Sequence, residues 1–433
     1  MNFEKEKHHF KGDETGLDKE KYVIETFLFE SQIDPEDAAL HLCQEHSTAQ
    51  WKRVDVDEDF RPQHAAKLLS LEVLETKDTP AFPAPFHTGP KFHTCRARIA
   101  NPHINFGAKL PNLLTVVCGE GVFYSPGITA IKLLDLDFPD AYLDQFEGPQ
   151  FGVRGVRDLL QIYDRPIFLG VVKPNIGLDP GSFSELAYQS WLGGLDAPKD
   201  DEMLADVGYS TLEKRTALLG KLRRKAEQET GEKKMYIANI TDEVDRIEAL
   251  HDMAVANGIN AVMLNGWAIG LSACRSLRKK AKVPLVAHFD FIAAFTRVPY
   301  FGMSVALSTK LQRLAGFDII LFPGLSARMQ TTKEEMMSNV KACLEPMGKI
   351  KPSLPVPGGS DWAGNLDKMY DIMGSVDFGM VPGRGVFNHP MGPKAGARSF
   401  RQAWEAIQKK IPVKEYANSH EELKTAFEAF EEC

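Results

Sequence analysis

The chain has 433 residues, too many for one ordinary hydrophobic core, so two domains are expected. Hydrophobic residues make up 43% and charged residues 25%, which excludes extended disorder away from the termini. A formal charge of −8 argues against nucleic acid or an anionic membrane as a partner. No apolar run approaches the roughly 18 residues that span a bilayer, and Met1 to Gly12 is charged and His-containing, unlike a signal peptide. Six cysteines without Cys-x-x-Cys spacing indicate neither a zinc site nor a disulfide framework, a usage that fits a reducing cytoplasm.

In chain order, residues 1–20 read as a polar tail. Tyr22–Glu30 then alternates as a strand, Asp34–Gln44 is helical, and Ala65–Glu75, Thr94–Ile99 and Ala130–Leu136 carry further strand patterns. Pro80, Pro83, Pro85 and Pro90 mark an exposed connection between them. Residues 21–145 therefore predict an α+β domain with an antiparallel sheet. Its boundary falls near Asp144–Val153, where Gly148, Pro149 and Gly152 interrupt the pattern.

Beyond that boundary, short runs rich in Val, Ile, Leu and Phe recur, each followed by a helical stretch. They are Ile167–Lys173, Gly194–Lys199, Tyr236–Thr241, Ala261–Gly266, Pro284–Phe289, Ile319–Gly324, Ser353–Gly359 and Val376–Gly385. Eight such units predict a parallel (β/α)8 barrel over 146–405, with a helical extension over 406–433. Catalytic groups in that fold sit at the carboxyl ends of the strands, which puts Lys173, Lys199, Asn239, Asn265, His288, Gly358, Gly359 and Gly383 at one mouth. An open doubly wound sheet would give a similar count, but no Gly-x-Gly-x-x-Gly turn follows an early strand.

The second run ends in Lys199-Asp200-Asp201-Glu202, an amine and three carboxylates that cannot all face a core unpaired. Oxygen donors of this kind suit a hard divalent cation, above all Mg2+. The competing reading is an acidic helix start, with the acids in the first turn and the helix continuing through Met203–Val207.

Several segments carry a resemblance: Glu45-His46-Ser47-Thr48 with Trp51, Asn112–Gly119, Gly170–Leu178, Gly193–Glu202, Thr309–Gly316, Gly358-Gly359 and Gly383–Gly392. On these the chain resembles the large subunit of ribulose-bisphosphate carboxylase/oxygenase, and more closely the Rubisco-like (form IV) proteins that share its fold. The resemblance implies a ferredoxin-like N-terminal domain, a TIM barrel and a homodimer with shared active sites. Glu45, Trp51 and Glu120 of one subunit would then complete the site over the barrel of the other. It also implies that Lys199, carbamylated, binds Mg2+ with Asp201 and Glu202, that Lys173 moves protons during enolisation, and that His288 is catalytic.

The departures from the family pattern bear on activity. Asn175 replaces the second lysine of a Lys-Pro-Lys motif, and Glu120 replaces an asparagine that closes the metal site. Phe289, Leu321 and Pro357 stand where the family has the Arg, His and Ser of a far phosphate site, and the loop Gly324–Gln330 offers only Arg328 in place of a lysine. Carboxylation of ribulose bisphosphate is therefore not expected. One anion site remains at Gly358, Gly359 and Gly383, where strand-end glycines let backbone amides approach a phosphate; Arg384 replaces a glycine there and either strengthens or fills it. A substrate with one anionic and one apolar end fits this set. The expected chemistry is Mg2+-assisted proton abstraction next to a carbonyl, with Lys173 as base or acid and Glu120 as a further carboxylate. The expected substrate is a mono-phosphorylated, sulfur-containing sugar, as in methionine salvage. The alternatives are a non-catalytic binding or stress-response protein of sulfur metabolism and, disfavoured by the losses, a true carboxylase.

Overall fold

The computed structural model describes residues 3–49, 53–359 and 361–431. Contacts divide the chain into two compact units: Met1–Glu147 with Phe291–Ser308 and Pro346–Ile350, and Gly148–Asp290 with Thr309–Glu345 and Lys351–Cys433. The first break falls inside the interval marked by Gly148 and Pro149. The two later segments correct the picture of a barrel domain continuous over 146–405. Phe291–Ser308 joins the first unit where Leu133 exchanges backbone hydrogen bonds of 2.9 Å with Gly302 and Ser304, and Pro346–Ile350 joins it where Lys349 Nζ donates to the Asp144 carbonyl at 2.7 Å.

The first unit holds strands β1 (Tyr22–Ser31), β2 (Lys67–Lys77), β3 (Phe92–Pro102) and β4 (Ile128–Asp137) in the antiparallel order β2-β3-β1-β4. A helix at Pro35–Glu45 follows β1 and another at Leu110–Val117 precedes β4, the ferredoxin-like sequence of elements. The first of these starts where Asp34 accepts the N–H groups of Glu36 and Asp37 and Pro35 sets the first helical φ. It buries Ala38, Ala39, Leu42 and Cys43. The stretch 78–91 joins β2 to β3 without helix or strand, as its prolines predict. The expected tail is not free: Phe10 is fully buried, and the Gly12 N–H donates to Leu68 O at 2.9 Å.

The second unit holds eight parallel strands: β5 (Ile167–Val171), β6 (Ala197–Lys199), β7 (Ile237–Asn239), β8 (Ala261–Leu264), β9 (Leu285–Ala287), β10 (Ile319–Pro323), β11 (Leu354–Gly358) and β12 (Gly379–Met380). Their order is β11-β10-β9-β8-β7-β6-β5-β12, so neighbours in sequence are neighbours in space. At Gly379 an added Cβ would lie 2.6 Å from Leu169 and 2.9 Å from Val356, so only glycine lets β12 pack between β5 and β11. Leu169, Ala197, Ile237, Met263, Val286, Leu321 and Val356 fill the interior together with Val156 and Leu160 of the helix Gly152–Leu160. Beyond Gln408, short helices at Val413–Tyr416 and Glu421–Phe430 form the C-terminal extension.

Candidate active site

The β6 strand delivers four charged residues to the barrel mouth, and their fates differ. Asp200 is fully buried and saturated. It accepts from Arg215 Nε and Nη2 at 3.0 and 3.1 Å, Tyr236 Oη at 2.6 Å and the Asn239 N–H at 2.8 Å. Lys199, also fully buried, donates to the Asp200 carbonyl at 2.8 Å and stands 3.3 Å from Glu202 Oε2. The helix expected over Met203–Val207 is absent; the next helix is Leu212–Thr230. Here side chains outbid the helix ladder. Asp201 Oδ1 takes the Met203 N–H, while Arg215 takes the Ala205 carbonyl. Asn239 and Asn265 act as braces, donating to the Glu202 carbonyl at 2.9 and 3.1 Å; Asn239 also reaches Asp201 O.

Lys173, beyond β5, places its Nζ 2.8 Å from Asp201 Oδ2 while keeping 21% of its side chain exposed. His288 Nε2 lies 3.3 Å from Glu202 Oε2, its Nδ1 lies 3.4 Å from Asp290 Oδ1, and its ring stacks on Phe289 with centroids 4.5 Å apart. Burial alone would raise the Glu202 carboxyl, but the charges of Lys199 and His288 outweigh it and hold it at about 2. Glu202 is therefore a carboxylate wherever the protein is folded near neutrality.

Lys173, Glu202 and His288 face a cavity of about 530 Å3, whose glycine end, Gly358, Gly359 and Gly383, adjoins an apolar wall of Phe289, Leu321 and Val381; a Cβ at Gly358 would lie 3.1 Å from Val381 and 3.7 Å from Phe289. Arg384 and Arg328 are exposed at its edge. Lys199 and Asp201 lie behind this surface. Pro357 does not line the cavity, a correction with a simple cause. Side chains alternate along a strand, and Leu321 pairs in register with Val356 in the barrel interior, so Pro357, paired with Phe322, faces the other way. Asp361, Asp290 and Met329 were missed by sequence reasoning. Of these, Asp361 carried a usable signal, an acid two residues beyond a strand-end Gly-Gly pair.

Glu45 and Glu120 belong to the first unit and are brought together there. A Cβ at Gly121 would sit 2.6 Å from His46 Cδ2 and 3.2 Å from Glu45 Cβ, so glycine lets this turn rest on the helix end. Burial pushes the half-buried Glu45 carboxyl up, whereas Glu120 is exposed and accepts from Tyr124 Oη at 3.3 Å. Trp51 lies outside the described residues.

A lysine, two carboxylates and a histidine at the mouth of a parallel barrel, attached to a ferredoxin-like sheet, define the architecture of a Rubisco-type large chain. The family model for the ribulose bisphosphate carboxylase large chain, catalytic domain, matches residues 152–430, and that for its N-terminal domain matches residues 13–142. The chain belongs to this family, and within it to the Rubisco-like proteins rather than the typical carboxylases. A ribulose bisphosphate carboxylase-like protein of Chlorobaculum tepidum is 57% identical over 98% of this chain and 97% of its own. A dimeric archaeal Rubisco from Hyperthermus butylicus superposes with a TM-score of 0.85 at 30% identity, covering 98% of both chains. A rubisco-like protein (MtnW) from Alicyclobacillus acidocaldarius gives 0.83 at 26%, covering 95% of this chain and 99% of the other.

The donor set fits a divalent cation. Asp201 and Glu202 each hold an ammonium, Lys173 and Lys199 respectively, so the carboxylates already attract positive charge. Glu202, His288 and Asp290 form a second possible metal-binding group, with ligand atoms within 4.8 Å of one another. Its imidazole suits softer ions, whereas Asp201 and Glu202 suit Mg2+.

Proposed function

We propose that this Rubisco-like protein is an enzyme that abstracts a proton next to the carbonyl of a mono-phosphorylated sugar, with a sulfur-containing sugar as the leading substrate class. The observation that carries this reading is Lys173: its amine is held 2.8 Å from Asp201 yet reaches a cavity with one glycine-lined end and one apolar wall. Such an amine gives or takes the proton at the carbon next to the carbonyl, a contribution of roughly 10²–10⁴ in rate. Backbone amides at Gly358, Gly359 and Gly383 receive the phosphate, assisted by Arg384. Phe289, Leu321 and Val381 receive the apolar end, where a second phosphate would lie desolvated and unpaired. Mg2+, held by Asp201, Glu202 and Lys199 in carbamylated form, would polarise the carbonyl as a Lewis acid. His288, fixed through Glu202, orients the substrate oxygens.

The shared-dimer reading is supported by the dimeric relative and by the exposure of Glu120 and Phe123, the latter 91% exposed. In that arrangement Glu45, Trp51 and Glu120 of one subunit close the cavity of its partner. A cytoplasmic location agrees with the free thiols of all five described cysteines, and no described helix is long and apolar enough to cross a membrane. The test is NMR in D2O with Mg2+, following deuterium uptake beside the carbonyl across mono-phosphorylated ketoses, methylthio-sugars included. Exchange without CO2 fixation is expected; CO2 fixation on ribulose bisphosphate, or silence across the panel, contradicts the proposal.

A further inference from the structure

One buried carboxyl in the cavity has no part in the chemistry above. Asp361 lies two residues beyond the Gly358-Gly359 pair, is 6% exposed, and lines the same cavity as Gly383 and Lys173. Among the described residues its carboxyl has one hydrogen bond, accepted at Oδ2 from the Val381 N–H at 3.2 Å, and no cation pairs with it. The other charged or titratable groups around the cavity are Lys173, Glu202, His288, Arg328 and Arg384. Lys173 is engaged by Asp201, Glu202 is engaged by Lys199 and His288, and the two arginines are exposed at the edge. A carboxyl buried with a single backbone donor favours its neutral form, and burial pushes Asp361 up to about 7.

We propose that Asp361 is the specificity-determining group of the glycine-lined end: as the acid it donates a hydrogen bond to a bound oxyanion, and as the carboxylate it turns a dianion away. The inference rests on the anion end assigned under the proposed function. It narrows the ligand to an oxyanion that shares a proton with the protein, such as a phosphate monoester in its singly charged form. An O–H donor aimed at an anionic oxygen is among the stronger hydrogen bonds, whereas two unscreened negative charges in one small cavity repel strongly. The glycine amides alone would accept any dianion; Asp361 makes the site selective.

The probe is sulfate, which stays a dianion through neutrality and so contributes no titration of its own. Sulfate binding to the full-length protein is measured by calorimetry from about pH 6 to about pH 8. Wild-type affinity falls about tenfold across that range, following the acid fraction of a group titrating at about 7. Asp361→Asn keeps a neutral donor and an acceptor for Val381, and lacks this fall; any slope common to both proteins cancels. Thermal melting confirms that the variant is folded. In the infrared, a protonated-carboxyl band that titrates near 7 is present in wild type at the acid end and missing in Asp361→Asn, apart from the band that both proteins share from the buried Glu25, which burial pushes up to about 8. Equal pH slopes in the two proteins, or no such band in wild type, overturn the role of Asp361. Absence of sulfate binding in both proteins at every pH overturns the anion end itself, and with it the phosphate part of the proposed function.

Discussion

Two cavities of similar size lie at opposite ends of the barrel, about 530 Å3 at the carboxyl ends of the strands and about 470 Å3 at the amino ends. Both are rich in charge, and the difference lies in how the charges are matched. At the amino end Asp196 accepts from Arg165 at 2.6 and 2.7 Å and from the Phe168 N–H at 2.8 Å, and Arg401 pairs with Glu232. Nearby, Asp318 takes the N–H groups of Phe151, Gly152 and Leu285 and so ties the helix Gly152–Leu160 to the start of β9. At the carboxyl end Asp361 lacks a cation, the guanidinium groups of Arg328 and Arg384 have no partner among the described residues, and Glu202 faces Lys199 and His288, each at 3.3 Å. Saturated charges hold a fold together; unsaturated ones stay available to a ligand. The same contrast separates adjacent residues, Asp200 with four donors and Asp201 with an amine that also reaches the cavity.

Breaking the saturated end gives the largest expected change in stability. Asp196→Ala strands the buried Arg165 and costs about 3–5 kcal/mol, read by urea unfolding, while exchange per folded molecule is unchanged. The same pair sets an acid limit. Burial pushes the Asp196 carboxyl up, but the Arg165 guanidinium more than offsets this and holds it below its usual range. Its contribution is therefore complete above the unfolded value of about 4 and is lost as pH falls through the depressed folded value. Unfolding curves taken at falling pH should show wild type losing stability that Asp196→Asn never had.

At the open end, Asn239→Ala removes the amide that donates to both the Asp201 and Glu202 carbonyls, leaving Glu202 only the brace from Asn265, and is expected to weaken Mg2+ binding about 10–100-fold, measured by calorimetry. The smallest effect is expected from an ordinary surface pair. Lys280 and Glu248 are 57% and 53% exposed, and Lys280→Ala should shift stability by less than about 0.5 kcal/mol. A larger loss there would blur the distinction between saturated and incidental charge.

Much of this was legible in the sequence. Each of the eight apolar runs contains a barrel strand, because strands buried on both faces need continuous apolar residues. The runs overstate strand length where a turn shares the composition: Gly194–Asp196 precedes β6, and only Gly379–Met380 of Val376–Gly385 pairs as β12. Lys173, Glu202, His288 and the three glycines do meet at one cavity. What the sequence could not show was nonlocal. The division of labour between Asp200 and Asp201 depends on Arg215 and Tyr236, 15 and 36 residues away. The inward turn of Leu321 and the outward turn of Pro357 depend on strand register. The burial of Asp361 depends on how β11 and β12 close the barrel.

The most direct test compares wild type with Lys173→Met for solvent-deuterium exchange on a phosphorylated ketose that wild type enolises, alongside thermal melting. Exchange per folded molecule reduced roughly 10²–10⁴-fold is the predicted result, in a variant that still folds but melts earlier, because Lys173→Met leaves the fully buried Asp201 without its cation. Exchange that persists in Lys173→Met would contradict the account.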